Sequence, residues 1–478
     1  MLLFDGSPSA RDWVQGVIFM SEPQRRASRP VVLAIAGSDS GGGAGIQADL
    51  KTLAVLGVHG AAALTALTAQ NTQGVRGIHE VPPAFVAAQI LAVLDDMDVA
   101  AVKTGMLASS PIVEVVAETL RHRATRNIVV DPVMVAQSGD HLLRPDATRA
   151  LVEQLLPLAT LVTPNVPEAE ALVGFEVRDL DAMKRAARAL VEKGARACLV
   201  KGGHLEGDAV DVLYDGRQPL VLRAARLAEA ADHGTGCCLA SAVAAGLALG
   251  QSLPQAVSNA KVFVTRAIAL GWHVGRGHGC VNPAGVLLRE ADRHRLWKEL
   301  VAAVERLEGA KLGPLVPEVQ CQIAFALDGA VTPQEVLAFP GRLVRIGDRL
   351  RSVTAPRFGA SSHMARVVLA VLRHDPQMRV AMNIRYGKEI LEACARARLT
   401  VAMFERRDES PASREEEGQS LPHGIRSAIE RFGGVPDAIA DPGDVGKEPM
   451  VRLLARDPDE LARKLLRLAR ELGLEGGG

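Results

Sequence analysis

The sequence predicts two α/β domains in tandem, a larger one built on a mainly parallel central sheet and a smaller one behind it. Three observations point there. From Val31, short apolar runs recur about every thirty residues between amphipathic stretches of helical length, the alternation that βα units produce. Several of these runs end in polar, chemically useful residues. After Asn282-Pro283 the pattern changes character, and 478 residues exceed what one ordinary core serves.

In chain order, strands are predicted near Val31–Ala36, Ala61–Ala69, Val99–Lys103, Asn127–Asp131, Leu158–Thr163 and Arg196–Lys201. Helices are predicted near Ala44–Leu56, Ala84–Leu94, Pro111–Arg121, Asp146–Leu156 and Asp181–Lys193. A run of small and apolar residues, Leu239 to Leu249, reads as a buried helix. Residues 286–310 form one charge-laced amphipathic helical pattern, and the domain boundary is placed at 289/290. Beyond it come a strand near Gly341–Ile346, a helix from Ser362 to Arg373, a strand Val380–Asn383, a helix Gly387–Arg398 and a strand Thr400–Phe404. Asp457-Pro458 places a cap and a first-turn proline at the head of a final helix to Leu472. Residues 1–29 read as an extension, with Met20 an alternative start.

Composition narrows the function classes. The 55 basic and 55 acidic residues cancel, so bulk charge argues for neither nucleic acid nor an anionic membrane. Aromatics, at 3%, are too few for a base-stacking platform. No apolar run is long enough to cross a bilayer, and no signal peptide is legible. Six cysteines without a Cys-x-x-Cys pair suit a reducing cytoplasm, which is the expected location.

The polar strand ends carry the chemistry. They are Gly37-Ser38-Asp39, Gln70-Asn71, Lys103-Thr104-Gly105, Asp131-Pro132, Thr163-Pro164-Asn165 and Lys201-Gly202-Gly203-His204. In an open α/β sheet ligands bind at the carboxyl edge of the strands, so six such ends in succession predict an active-site rim. His233-Gly234-Thr235-Gly236-Cys237 then sets two glycines beside a helix start, whose unpaired N–H groups suit a phosphate. Gly43-Ala44-Gly45-Ile46-Gln47-Ala48 fits a loose dinucleotide pattern, but Leu64–Thr68 lacks the acidic residue a ribose hydroxyl needs. A P-loop is also absent, so a phosphoryl-transfer site must hold its phosphates otherwise.

These strings carry a resemblance. Ala36 to Thr52, Thr65 to Thr72, Lys103 to Leu107, Asp131 to Met134, Thr163-Pro164-Asn165 with Glu168, Lys201 to His204 and His233 to Cys237 together closely resemble hydroxymethylpyrimidine (phosphate) kinase. That family is a ribokinase-fold enzyme of thiamine biosynthesis, and the resemblance spans about residues 30–285. Ser40-Gly41 departs from it where Pro-Ser is common. The resemblance implies two ATP-dependent phosphorylations at one site, of the hydroxymethyl alcohol and then of its phosphate. It implies that Gln70 reads the aminopyrimidine and that Asp49, Met106 and Gly37 line the same pocket. Asn165, Asp131 and Lys201 would serve ATP, with Glu168 and Asn165 toward Mg²⁺ or its waters. Gly234, Thr235 and Gly236 would form the anion hole. Cys237 stands where many relatives carry a general-base aspartate, and a helix N-terminus would favour its thiolate. Such kinases are often dimers, so a homo-oligomer is expected. The rival is a pyridoxal kinase, which shares the fold.

In the second half, Arg342, Arg345 and Arg357 surround Phe358-Gly359-Ala360-Ser361-Ser362-His363, an anion-site composition. With Leu315 to Glu318, Pro340-Gly341-Arg342, Ala381 to Tyr386 and Gly446-Lys447-Glu448-Pro449, these residues resemble the archaeal-type thiamine phosphate synthase domain over about 290–475. That resemblance implies joining the pyrimidine diphosphate to a thiazole phosphate with release of pyrophosphate. Arg342 and His363 would be its catalytic pair; separately, Asp444 and Glu448, carboxylates of the glycine-rich 441–449 loop, are candidate Mg²⁺ ligands. The expectation is therefore residues 30–289 as the kinase and 290–478 as the synthase, acting on small molecules with no nucleic-acid or membrane partner. The alternative is a second half that only senses a thiamine-related ligand.

Overall fold

In a computed structural model describing residues 29–134, 145–203, 207–227, 231–404, 420–444 and 448–474, the apolar run at Val31 forms β1 (Val31–Asp39). Val32 to Ile35 are fully buried. Continuous burial of that kind marks a parallel strand covered on both faces. There follow α1 (Gly45–Val55), β2 (His59–Asn71), β3 (Gly74–Glu80), α2 (Pro83–Asp96), β4 (Val99–Thr104), α3 (Ser110–His122) and β5 (Ile128–Val130). Next come α4 (Pro145–Ala150), β6 (Leu161–Val162), α5 (Val166–Val173), α6 (Leu180–Glu192) and β7 (Cys198–Lys201). The unit closes with β8 (Ala209–Tyr214), β9 (Leu220–Ala224), α7 (Thr235–Ala248) and α8 (Leu253–Ala269), and α9 (Pro283–Glu308) begins within it.

The nine strands run in the order β3-β2-β1-β4-β5-β6-β7-β8-β9. From β2 to β7 neighbours are parallel, while β3 and the β8–β9 hairpin return antiparallel at the edges. The predicted polar ends therefore emerge along one edge. The three antiparallel strands were not predicted. In β3 the sequence Gly-Val-Arg-Gly-Ile-His-Glu has little apolar alternation, because it is largely exposed. The helix predicted at 146–156 is α4 followed by a π turn at Leu151–Leu155. The buried helix starts four residues early, at Thr235, so Thr235, Gly236 and Cys237 form its first turn. Its residues from Cys238 to Leu247 are all buried, which small side chains permit on every face.

The chain divides into compact units at Met1–Leu288 and Arg289–Gly478, with the division inside α9. The second unit adds β10 (Ile323–Ala326), β11 (Val336–Ala338), β12 (Leu343–Ile346), β13 (Arg349–Ser352), β14 (Arg357–Phe358), α10 (Ser362–Leu372), β15 (Val380–Arg385) and α11 (Lys388–Arg396). It ends with β16 (Val401–Met403), α12 (Ser420–Phe432), β17 (Ala438–Asp441), β18 (Met450–Ala455) and α13 (Pro458–Glu471). Its seven-stranded sheet, β14-β11-β10-β15-β18-β17-β16, is antiparallel except between β16 and β17. β10, fully buried Ile-Ala-Phe-Ala, is too short a run to stand out by periodicity. Among the described residues no helix is long and apolar enough to cross a membrane.

Candidate active site

One pocket at the carboxyl edge of the nine-stranded sheet gathers residues from seven segments. Gly37, Gln70, Met106, Asp131, Asn165, Glu168, Lys201, Gly234, Thr235, Gly236 and Cys237 all line it. Its wall is the N-terminus of α7. Gly234 caps that helix with φ at +89°, a conformation that strains any residue with a side chain. A Cβ there would also lie 1.9 Å from the Gly43 carbonyl oxygen. Thr235 N–H and Oγ1 both donate to the Asp232 carbonyl, at 3.1 and 2.6 Å, which fixes the turn. Gly236 and Cys237 lie in the first turn, where N–H groups have no intrahelical acceptor, so the helix presents donors and partial positive charge.

A lysine and two carboxylates face that wall. Lys201 Nζ sits 2.9 Å from Asp131 Oδ1 and 3.9 Å from Glu168 Oε2. A Cβ on Gly236 would be 3.2 Å from Asp131 Oδ2 and 3.3 Å from Lys201 Nζ, so the missing side chain lets the pair approach the helix. Burial opposes the Lys201 charge, but Asp131 and Glu168 outweigh it and hold the ammonium above its ordinary range. Glu168 responds oppositely. Burial, reinforced by the Asp131 charge, pushes its carboxyl up to about 7 despite Lys201. Asn165 and Glu168 close a capping box on α5: Glu168 N–H donates to Asn165 Oδ1 (2.8 Å), and Asn165 N–H to Glu168 Oε2 (2.7 Å).

This donor set fits Mg²⁺. Two carboxylates with one lysine between them leave negative charge that a hard cation would offset. Among the described residues no cluster of three or more His, Cys, Asp or Glu makes an all-protein cage. Mg²⁺ shared with substrate phosphates usually takes only one or two carboxylates.

The opposite end carries Gln70, Met106 and Gly37. Gln70 is half-buried, and its Oε1 accepts from Thr68 Oγ1 at 3.1 Å. The Ser40 hydroxyl donates to the Gln70 carbonyl (2.7 Å) and accepts from the Gln70 N–H (2.9 Å). A proline at position 40 would supply neither bond. Met106 is 7% exposed, and its sulfur would lie 3.0 Å from a Cβ on Gly37.

Two expectations need correction. Asp49 does not line the pocket. It lies on the buried face of α1 with no exposure, ion-paired to Lys103 Nζ at 2.9 Å and accepting from Ser241 Oγ at 2.8 Å. Lys103 is therefore scaffold too, its ammonium stabilised beneath the site. Nor is Cys237 poised as a thiolate. Burial pushes its thiol up to about 11; Lys103 and a Gly45 N–H directed at the sulfur pull it back only in part, and Asp49 and Asp131 push it further up. The helix N-terminus does not prevail against this. His204 lies outside the described residues. The sequence reading singled out the strings that hold Asp39 and His233 but not their pairing, and the two meet at 3.2 Å.

In the second unit, Arg342 and His363 are both exposed, at the end of the segment after β11 and in the first turn of α10. Arg342 has φ at +62°, and its guanidinium donates to the Val319 carbonyl. Partial desolvation of the ring, then the charges of Arg452, Arg366 and Arg342, depress the His363 imidazole to about 4. The pair therefore belongs to a larger basic cluster. Arg452, 2% exposed, is braced by Asp441 at 3.3 Å. Glu448 is not placed as a metal ligand: its two oxygens accept the Glu318 and Val319 N–H groups, at 2.7 and 3.0 Å. Lys447 lies outside the described residues.

A mainly parallel sheet whose carboxyl edge opens on a helix-start anion wall beside a lysine–carboxylate cluster defines a ribokinase-like small-molecule kinase. The chain belongs to the phosphomethylpyrimidine kinase family, whose model matches residues 39–282. Residues 299–467 match the model of thiamine-phosphate synthase ThiN. The hydroxymethylpyrimidine/phosphomethylpyrimidine kinase of Streptomyces coelicolor is 53% identical over 263 residues, 55% of this chain and 97% of that protein. The thiamine biosynthesis bifunctional protein ThiED of Geobacter sulfurreducens is 54% identical over 261 residues, 54% of this chain but only 53% of its own length. Among solved structures, Bacillus subtilis pyridoxal kinase in an ADP complex superposes with a TM-score of 0.52 at 38% identity, covering 55% of this chain and all of that one. Staphylococcus aureus pyridoxal kinase in complex with pyridoxal gives 0.51 at 36%, covering 54% and 94%.

Proposed function

We propose that residues 30–289 phosphorylate 4-amino-5-hydroxymethyl-2-methylpyrimidine and then its phosphate with ATP. Residues 290–478 then join the diphosphate to thiazole phosphate, releasing pyrophosphate and making thiamine phosphate. The observation that carries the kinase reading is the single pocket holding Gln70 and Met106 at one end and the α7 N-terminus with Lys201 at the other. Gln70 binds the aminopyrimidine edge, since an amide donates and accepts at once. Gly234, Thr235 and Gly236 bind the charge that develops on the transferring phosphoryl group. Lys201, braced by Asp131, neutralises ATP phosphate charge, and Asn165 holds the same end. Glu168, with Asp131, would hold Mg²⁺, which supplies further positive charge to those phosphates.

Cys237 enters as a thiol. There it orients the acceptor hydroxyl; in a loose phosphoryl-transfer transition state that hydroxyl keeps its proton until late and then loses it to an oxygen of the transferred phosphoryl group, so no protein base is required. Its contribution is largest in the first phosphorylation, because the second acceptor is already an anion. In the second unit Arg342 and Arg366 bind the departing pyrophosphate, with the buried Arg452 adding positive charge behind them. A neutral His363 donates one N–H to the same anion.

Supplying the purified chain with the pyrimidine alcohol, thiazole phosphate and ATP tests the whole reading; thiamine phosphate is the expected product. Accumulation of the pyrimidine diphosphate alone would favour a sensing role for the second unit. The likeness to pyridoxal kinases supports a second reading, so pyridoxal is the comparison acceptor. A higher kcat/KM for pyridoxal would displace the aminopyrimidine.

A further inference from the structure

The pocket's two glycine-bearing walls are joined by one side-chain contact that the proposed chemistry does not use. Asp39, 3% exposed at the end of β1, accepts four donors. Oδ1 takes the Gly41 N–H at 2.8 Å, and Oδ2 takes the Gly43 N–H at 3.0 Å and the Ala44 N–H at 2.8 Å. The fourth is His233 Nε2, 3.2 Å from Oδ2. Burial opposes the charge, but His233 and the backbone donors hold the carboxyl below its usual range. With Asp39 acceptor-only, the hydrogen-bond network assigns the proton to His233 Nε2.

His233 is itself anchored. Its N–H donates to the Gly279 carbonyl at 3.0 Å, and its carbonyl accepts from the Val281 N–H at 3.0 Å. The ring thus spans from a pinned backbone to the end of β1, one residue ahead of the α7 cap. The walls it joins lie close together: a Cβ on Gly234 would lie 1.9 Å from the Gly43 carbonyl oxygen, and a Cβ on Gly43 would lie 2.4 Å from His233 Cδ2 and 2.6 Å from Cys280 Sγ.

We propose that Asp39 and His233 form a clamp that sets the spacing between the 41–45 segment and the phosphate-facing first turn of α7, so that both are positioning residues for phosphoryl transfer. This rests on the kinase reading of the pocket. Anion donors act only within a few tenths of an ångström of their ideal place, and misplacement by about 1 Å costs on the order of 100-fold in rate. Asp39 and His233 both line the pocket, and a charge-assisted bond between two anchored segments resists that drift.

The test uses the full chain and three variants: His233→Phe, which keeps the ring but loses the donor, His233→Gln, which restores one, and Asp39→Asn. Native-state hydrogen exchange is read at residues 41–44 and 234–237, and kcat and KM are measured for ATP and the pyrimidine alcohol. His233→Phe is expected to lower kcat roughly 10- to 100-fold with KM changed no more than about threefold, the pattern of an interaction realised in the transition state. Exchange should speed at both segments together in His233→Phe and Asp39→Asn, and His233→Gln should recover most of both losses. The clamp is overturned by a His233→Phe kcat within about threefold of the parent, by faster exchange at 234–237 with 41–44 unchanged, or by equal loss in the Phe and Gln variants. If the parent phosphorylates neither alcohol, the kinase reading falls, and the exchange data still decide the clamp.

Discussion

Lys103→Met should destabilise the first unit strongly, and Asp49→Asn should rescue it. Both side chains have no solvent exposure, and their 2.9 Å contact is supplemented by Ser241 Oγ at 2.8 Å from Asp49. Removing the lysine leaves Asp49 in a site where burial already raises its carboxyl. Breaking a buried pair in this way costs about 3–5 kcal/mol, whereas replacing both charges is often close to neutral. At about 2–4 °C per kcal/mol for a unit of this size, the single variant should melt roughly 6–20 °C early. The double variant should return to within about 1–2 kcal/mol of the parent, so that the two single losses are far from additive. Scanning calorimetry of the full chain, following the first unit's transition, reads all four corners of the cycle. Strictly additive variants, or a Lys103→Met protein as stable as the parent, would refute the paired-foundation account. A selective loss of pyrimidine binding in Asp49→Asn at unchanged stability would return Asp49 to the pocket.

Three further outcomes follow from the charges around the two sites. With the Cys237 thiol at about 11, only about one molecule in a thousand carries the thiolate at pH 8, so iodoacetamide should react slowly and about tenfold faster per pH unit. Rapid alkylation of Cys237 at pH 7.5, mapped by mass spectrometry, would contradict the buried-thiol assignment; the other five cysteines are buried. Glu168 at about 7 is raised, so it is protonated below that pH and the ion-free protein loses this contribution to stability as pH climbs from 4.5 through 7. Mg²⁺ needs the carboxylate, so its stabilisation of the Tm should grow from pH 6 to pH 8 and shrink in Glu168→Gln; an equal effect at both pH values would exclude Glu168 as a ligand. His363 at about 4 is neutral above that pH, so its NMR titration midpoint should lie near 4, rising in Arg366→Met; a midpoint near 6.5 would dissolve the basic cluster around it.

The fold was legible wherever burial left a one-dimensional trace. β1, β4 and β7 are covered on both faces and read as unbroken apolar runs, and α6 and α10 show the one-sided pattern of helices packed on a sheet. β3 and β9 are exposed edge strands, and β17 and β18 lie in short stretches whose pairing is long-range, so little in their own residues announces them. Of the pocket, the contributing segments were legible because each follows a parallel strand. Which of their side chains face the ligand was not. Asp49 sits in the same motif as Gly37 and looks equally available, yet the turn of α1 carries it beneath the sheet edge to Lys103.

By itself the sequence determined the α/β class, the division of the chain near α9, and the set of segments that meet in the pocket. It could do so because periodicity and glycine placement are local properties of the backbone. Only the tertiary structure decided protonation and partnership. Cys237 is a thiol because burial outweighs the helix N-terminus, Glu448 is spent on the Glu318 and Val319 amides, and Asp39 meets a histidine 194 residues away. Desolvation and long-range pairing depend on what the rest of the chain places around a residue, and no local pattern records that.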